Sequence, residues 1–187
     1  EPQITIISPT RDFYESLLPK FRNKLNFHWA LEALEENSYS SKDDISDETT
    51  LSKTLDDATD DTSTHNQSSI VFLLETDEKQ KFLFTGDAGR DAFNHVPQTL
   101  LGKVKDVTWM KVPHHGSKHN LDSTIIKHVN PEIAYISTEK QGKYLNRSTV
   151  FALKKNGTKV YSTSQNRSTI RHGAIKTREG WTKIEPM

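Results

Sequence analysis

The stretch VTWMKVPHHGSKHNLDSTIIKHVNPEIAYIST, residues 107–138, contains two apolar runs separated by a segment with a helical pattern. VTWMKV and EIAYIST have the composition of buried strands. LDSTIIKHV between them has apolar residues at helical spacing, and Asp122 or Ser123 is available as its cap. Strands that are apolar nearly throughout and alternate with helices are typical of sheets covered by helices. This stretch therefore predicts an α/β layered fold.

The same alternation extends to both sides of this stretch. SIVFLLET and KFLFTGD are apolar runs joined by the polar turn DEKQ, a pattern that predicts a hairpin. Further predicted strands are QITIIS, KVYST and STIRHGAIKT. Further predicted helices are RDFYESLLPKF, NKLNFHWALEALEE and RSTVFALKKNG, and GRDAFNHV is predicted to begin a short helix or a turn. The 187 residues suffice for one domain, which we expect to be an α/β (α+β) fold with a mixed sheet and outer helices.

Residues 37–64 interrupt this pattern. Most of the segment, SKDDISDETTLSKTLDDATDDTST, is rich in Ser, Thr and Asp and contains no aromatic residue. Such a composition buries too little apolar area to offset the entropy of ordering the chain. We therefore predict an acidic, disordered insertion that projects into solvent. The alternative is an acidic metal-binding loop, but the segment lacks the ligand spacing and glycine of an EF-hand.

Composition limits the classes of function. Lysine plus arginine and aspartate plus glutamate each total 25, so no global positive charge argues for non-specific nucleic-acid binding. There is no cysteine, and a bound metal must be held by His, Asp, Glu or water. The sequence has no apolar run near about 20 residues and no visible signal peptide. We expect a cytoplasmic protein without a membrane segment. Because the first residue is Glu1 and not Met, we also expect the chain to be a fragment or a processed product.

Polar residues with metal-binding chemistry follow two of the apolar runs directly. Asp87 follows KFLFTG, and His114 and His115 follow VTWMKVP. Ligands gather at the carboxyl ends of strands in α/β sheets, and neutral imidazole is the commonest protein metal ligand. Gly116, after the histidine pair, allows a ligand to approach the backbone closely. These residues predict a site at the carboxyl ends of two strands.

The order of these motifs resembles a known family. Asn-x-x-Ser precedes an apolar strand, TGD ends the next strand, VPHHGS ends the third, and PEIAYIS follows. This order is similar to the C-terminal half of a metallo-β-lactamase-fold hydrolase of the ComEC-type subfamily, which is found in DNA-uptake proteins and resembles phosphorylcholine esterases. The resemblance runs from about residue 4 to residue 177, apart from the acidic insertion. It implies half of an αββα sandwich.

The resemblance also implies roles for individual residues. Asp87 corresponds to the carboxylate that bridges two metal ions, and His115 corresponds to the last metal ligand. His114 is adjacent and faces the substrate phosphate or supports the ligands, so Asp87, His114 and His115 are the catalytic candidates. Asn66, with His65 beside it, stands where the family has a polar residue or a metal-ligand histidine. The implied substrate contacts are His114, Ser117, Lys118 and Asn146.

The chain departs from the family pattern in two respects. The motif H-x-H-x-D-H, which supplies most ligands of the first metal, is absent, and the chain contains no H-x-H. In YLNRS, residues 144–148, Asn146 replaces a histidine of the family's Tyr-Gly-His-Pro-like segment. The resemblance therefore implies half of a site for two divalent metal ions, zinc or manganese, in the complete protein. The other half lies on a missing N-terminal segment or a second chain, or the site is degenerate.

By the same resemblance, the expected function is metal-dependent hydrolysis by a phosphodiesterase or nuclease, with nucleic acid as the candidate substrate. Stand-alone members of this subtype look like antiviral-defence or nucleic-acid-processing enzymes. One alternative is a catalytically degenerate scaffold or sensing module in a larger assembly. Another is a lactonase or thioesterase, because one fold supports several chemistries.

Overall fold

The computed structural model describes residues 1–23, 54–138, 145–164 and 185–187. This part of the chain is built around one six-stranded mixed sheet whose strand order follows the sequence. The strands are β1 (Gln3–Ser8), β2 (Val71–Glu75), β3 (Lys81–Phe84), β4 (Trp109–Lys111), β5 (Ile133–Ile136) and β6 (Lys159–Ser162). β1, β2 and β3 pair in antiparallel fashion, whereas β3, β4, β5 and β6 are parallel. The predicted α/β class with a mixed sheet is confirmed.

Helices occupy the connections between these strands, except the β2–β3 connection, which is a hairpin turn. They are α1 (Arg11–Asn23), α2 (Thr64–Gln67), α3 (Arg90–Asn94), α4 (Gln98–Leu101), α5 (Ser123–Val129) and α6 (Arg147–Lys155). A short 3₁₀ turn lies at Gly102–Val104, and Pro113–Gly116 forms a kinked turn whose two histidines do not have helical φ/ψ. Asp122 is the cap of α5, and its carboxylate accepts a hydrogen bond from the Ile125 amide at 2.7 Å. Asn130, in the left-handed conformation, ends the same helix.

The inner face of the sheet forms the hydrophobic core with the helices. The strand registers place one row of side chains across β2 to β6, namely Leu73, Leu83, Met110, Ala134 and Val160. All five are at most 1% exposed and belong to the core cluster. Helical residues in the same cluster are Phe13, Leu17, Ala92, Phe93, Ile125, Ile126, Val129, Ala152 and Leu153. The burial of this row fixes which face of each strand points inward.

The outer face of the sheet carries a row of aromatic side chains. Phe72 and Phe84 stack with ring centroids 4.6 Å apart, and Phe84 lies 4.9 Å from Trp109. Trp109 lies 5.3 Å from Tyr135, which stacks on Tyr161 at the same distance. These five rings are partly exposed, and none belongs to the core cluster of the described residues. The two faces of one sheet are therefore both apolar, but only the inner one is fully buried.

The prediction of a disordered insertion is wrong for residues 54–64, which pack against the core. Residues 37–53 of that insertion lie outside the described residues, but Leu55 is fully buried and Asp61 is 9% exposed. Arg90, at 6% exposure, donates hydrogen bonds to the carbonyls of Leu55, Ala58, Lys118 and Leu121. Its Nη1 also pairs with Asp60 at 3.0 Å. One guanidinium thus attaches an acidic segment to the core, which the composition of the segment alone does not reveal.

The remaining predicted elements have varied outcomes. The predicted strands and helices within the described ranges are confirmed, whereas residues 24–36 and 168–177, which hold two further predictions, lie outside those ranges. α2 and α4 were not predicted, because runs as short as THNQ and QTLL have too few apolar positions to define a period. In the described part of the chain, no helix is long and apolar enough to cross a bilayer.

Arg90→Lys is expected to lower the free energy of unfolding by about 3 kcal/mol, because one ammonium group cannot satisfy four carbonyls that a guanidinium reaches together. Urea unfolding measures the change. Arg11→Lys is the matched control, since Arg11 is exposed and pairs with Glu15 one turn away. The control is expected to change stability by less than about 0.5 kcal/mol. Equal effects of the two substitutions would contradict the role given to Arg90.

Candidate active site

Two of the predicted motifs meet at the carboxyl ends of β3 and β4. These strands are parallel neighbours, so their carboxyl ends lie at the same edge of the sheet. The TGD turn follows β3, and the histidine turn, Pro113–Gly116, follows β4. The His114 amide donates a hydrogen bond to the Gly86 carbonyl at 3.3 Å. The backbone itself therefore holds the histidine turn against the turn that carries Asp87.

The histidine turn has an unusual backbone. His114 (φ 42°), His115 (φ 56°) and Gly116 (φ 90°) are consecutive residues with positive φ. Each non-glycine residue in this region costs about 1–2 kcal/mol, so surrounding contacts must enforce the conformation. The Gly116 carbonyl accepts from the Asn146 amide at 3.2 Å, and the His114 carbonyl accepts from the Ser117 amide at 3.0 Å. The two imidazole rings diverge as a result, with centroids 6.2 Å apart and planes at 66°.

The ring of His114 is held by a buried carboxylate. Its Nδ1 lies 3.1 Å from Oδ2 of Asp61, and His114 and Asp61 are 16% and 9% exposed. Asn66 Nδ2 donates to the same oxygen at 2.8 Å, and Asn120 Nδ2 does so at 2.9 Å. The Ser63 amide donates to Oδ1 at 2.9 Å. We call Asp61, Ser63, Asn66, His114 and Asn120 the Asp61 network.

These hydrogen bonds keep Asp61 ionised. Burial raises the pKa of the Asp61 carboxyl, but hydrogen bonds with His114, Asn66, Asn120 and the Ser63 amide outweigh it, and the pKa lies below its ordinary value of 3.8. At neutral pH the carboxylate is therefore negatively charged and accepts hydrogen bonds only.

His115 points to a different partner. Its Nδ1 is in hydrogen-bond contact with the backbone carbonyl of Ser137, just after β5. A backbone carbonyl only accepts, so Nδ1 carries the proton when the ring is neutral. Both histidines of the turn thus have Nδ1 fixed by an acceptor, although the acceptors lie on different parts of the fold.

Asp87 is paired with a lysine. Lys111 Nζ lies 3.3 Å from Oδ1 of Asp87 and also donates to the Gly86 carbonyl. The Asp87 amide donates to Ser69 Oγ at 3.2 Å, which fixes the turn from its other side. The Asp87 side chain is 39% exposed, so it remains accessible from solvent. The carboxylate therefore lies at the surface of the site with a positive charge beside it.

The other predicted site residues are distributed unevenly. Asn66 belongs to the Asp61 network, whereas the neighbouring His65 is exposed and lies edge-on to Phe21 of α1, with centroids 5.1 Å apart. Ser117 is buried, and its hydroxyl accepts from the His119 amide. The Lys118 carbonyl accepts from Arg90.

Asn146 is close to the histidine turn through its backbone, but its side chain caps α6. Its Oδ1 accepts from the Ser148 amide at 2.9 Å and from the Ser148 hydroxyl. The side chains of Ser117 and Asn146 thus both make hydrogen bonds within the protein. Their predicted contacts with a substrate remain predictions.

The imidazole and carboxylate groups of this site are of the types that bind divalent metal ions, but among the described residues too few of them lie together to hold one. Imidazole nitrogens whose other nitrogen is anchored, together with a carboxylate, are typical ligands of zinc. Within the described ranges, however, no group of three or more His, Cys, Asp or Glu side chains is arranged to hold an ion. The metal-ligand roles of His115 and Asp87, with His114 beside them, therefore stay predictions.

Sequence reasoning missed three residues of this site, namely Asp61, Lys111 and Asn120. Lys111 gave a weak signal, because it is a charged residue inside an apolar run. Asn120 is fully buried, and its Nδ2 also donates to the Asp87 carbonyl at 3.1 Å. Asp61 gave no signal, because it lies in the acidic stretch whose composition predicted a solvated loop.

Comparison with known proteins finds a similarity to one curated protein. It is 30% identical to ComE operon protein 3 of Bacillus subtilis (strain 168) over 128 residues, which are 67% of this chain and 16% of that protein. The chain thus spans a small part of the length of this relative. No family model matches the sequence, and no solved structure matches it. The similarity is to one part of ComE operon protein 3, and the metallo-β-lactamase-fold subtype and its chemistry stay predictions.

Gly116→Ala is expected to lower the free energy of unfolding by about 2 kcal/mol. Gly116 has φ +90°, and an added Cβ would lie 3.2 Å from Ile136 Cγ2 and 3.3 Å from Leu145 Cδ1. Gly102→Ala is the control, because Gly102 has helical φ/ψ and an added Cβ meets nothing within 4 Å. The control is expected to leave stability unchanged or raise it by up to about 1 kcal/mol. Thermal unfolding of both variants distinguishes strain in the histidine turn from a general effect of losing glycine.

Proposed function

We propose that this chain is one half of a metal-dependent hydrolase that cleaves phosphodiesters, with nucleic acid as the substrate class. One observation carries the proposal. Two adjacent histidines, each with Nδ1 held by an acceptor, lie in a strained turn that is bonded to the turn bearing Asp87. Anchored histidines of this kind are typical of metal ligands and general bases, and backbone strain of this kind clusters at functional sites.

The residues have distinct proposed roles. Asp87 and His115 would hold the metal ions, zinc or manganese, with Asn66 or His65 as further candidates. When bound, two such ions activate water and stabilise the negative charge that develops on a phosphoryl group. His114, held by Asp61, presents an imidazole to the substrate phosphate. Lys111, beside Asp87, adds a positive charge that favours binding of an anionic phosphodiester.

A second half of the fold is the proposed partner, on an N-terminal segment or on another chain. The aromatic row gives such a layer an apolar surface to pack against. Ile4 and Ile6 of β1 extend that surface, since they lie on the same face and are 64% and 54% exposed. Exposed isoleucines beside a row of partly exposed rings are typical of a surface that another element covers. The same layer would bring the ligands that complete the metal centre.

A catalytically inactive scaffold is the second candidate, and the Lys111–Asp87 pair favours it. An ammonium group 3.3 Å from Oδ1 partly neutralises the carboxylate that would bridge two metal ions. Under this alternative the lysine substitutes for a cation, and the fold serves as a binding or sensing module in a larger assembly.

The chain joined to an N-terminal half bearing H-x-H-x-D-H is expected to hydrolyse DNA, RNA or a small phosphodiester with added zinc or manganese. The 187 residues alone are expected to be nearly inactive, because a one-sided ligand set binds metal weakly. In the joined protein, Asp87→Asn and His115→Ala are expected to abolish turnover while the protein stays folded. Asp91→Asn, at an exposed position of α3, is the control and is expected to retain full activity.

Three results would contradict this proposal. Cleavage that resists a chelator excludes a metal-dependent reaction. Full activity of Asp87→Asn excludes the assigned ligand. Turnover of a lactone or thioester without turnover of any phosphodiester assigns a different substrate class. A joined protein that binds metal without any hydrolysis favours the scaffold.

A further inference from the structure

The Asp61 network connects residues that are far apart in the sequence. Asp61 and Asn66 lie before β2, His114 follows β4, and Asn120 precedes α5. Both carboxylate oxygens accept hydrogen bonds: Oδ1 from the Ser63 amide, and Oδ2 from the two asparagine side chains and from His114. Because its lone pairs face these donors, the carboxylate is arranged to hold its neighbours and is not presented as a metal ligand.

The direction of the hydrogen bond to His114 follows from the chemistry of the partners. An ionised carboxylate cannot donate, so the proton between Asp61 and His114 belongs to Nδ1 of the imidazole. Asn66 Nδ2 lies 3.4 Å from the same nitrogen, but its shorter contact, at 2.8 Å, is to the carboxylate. In the neutral ring Nε2 is then the nitrogen that bears the lone pair.

We propose that Asp61 is a positioning residue, which fixes His114 in the Nδ1–H tautomer and makes Nε2 the nitrogen that acts on a metal ion or a substrate. The use of Nε2 in hydrolysis rests on the function proposed above, whereas the tautomer itself does not. Arg90 supports the arrangement, because its bonds to the Leu55 and Ala58 carbonyls and to Asp60 hold the segment that leads into Asp61.

Nitrogen-15 NMR of the metal-free chain tests this assignment directly. At a pH where histidines are neutral, the two ring nitrogens of each tautomer have different chemical shifts, so the spectrum identifies which nitrogen of His114 carries the proton. The wild-type chain is expected to show His114 as Nδ1–H. Asp61→Asn is expected to shift His114 toward the Nε2–H form, because the new amide group can donate to Nδ1.

Two further variants serve as controls. Asp57→Asn removes one negative charge from the same segment at an exposed position and is expected to leave the His114 tautomer unchanged. Asp61→Glu retains a carboxylate and is expected to retain Nδ1–H. If Asp61→Asn does not fold, the wild-type spectrum and Asp61→Glu decide the assignment.

Three results would overturn the proposal: an Nε2–H tautomer in the wild-type chain, an unchanged tautomer in folded Asp61→Asn, or an equal shift in Asp57→Asn. None of these measurements requires turnover. The tautomer assignment can therefore hold even if the hydrolase proposal fails. Likewise, a wrong tautomer assignment does not decide whether the joined protein is a hydrolase.

Discussion

The hydrogen bond between the buried carboxylate of Asp61 and the ring of His114 is the contact that unites the site. An ionised carboxylate removed from water costs several kcal/mol unless donors surround it. Here four donors from three parts of the chain do so. The positively charged Arg90 holds the same segment in place, because it donates to backbone carbonyls of the segment and pairs with Asp60. The site therefore depends on a segment that contributes no regular strand and little apolar area.

Both the sheet beneath the site and the small number of proposed metal ligands favour a second layer that packs against this part of the chain. The inner row from Leu73 to Val160 is fully buried by helices, whereas the aromatic row on the outer face is only partly buried within the described residues. The metal ligands proposed above have the same one-sided character, since the anchored histidines and Asp87 occupy one edge of the sheet. A second layer that packs on the aromatic row would resolve both features at once.

Much of the fold could be predicted from local sequence, because the spacing of apolar residues within a short segment distinguishes strands from helices. The hairpin of β2 and β3, the cap of α5 at Asp122 and the strand-end positions of Asp87 and the histidine turn are all local signals. Asp61 is different. Its role arises from a hydrogen bond to a residue 53 positions away, and its neighbours have the composition of a solvated loop. Local patterns carry no information about such a partner, so composition predicted disorder where the structure has a buried charge.

A double-mutant cycle between Asp61 and His114 tests this account most directly. Asp61→Ala, His114→Ala and the double variant are unfolded in urea at neutral pH, and because alanine forms no replacement side-chain hydrogen bond, the coupling free energy isolates the interaction between the two side chains. A charge-assisted hydrogen bond in a buried setting predicts a coupling of about 1.5–3 kcal/mol. A coupling indistinguishable from zero, with all variants folded, would contradict the claim that this contact holds the site together.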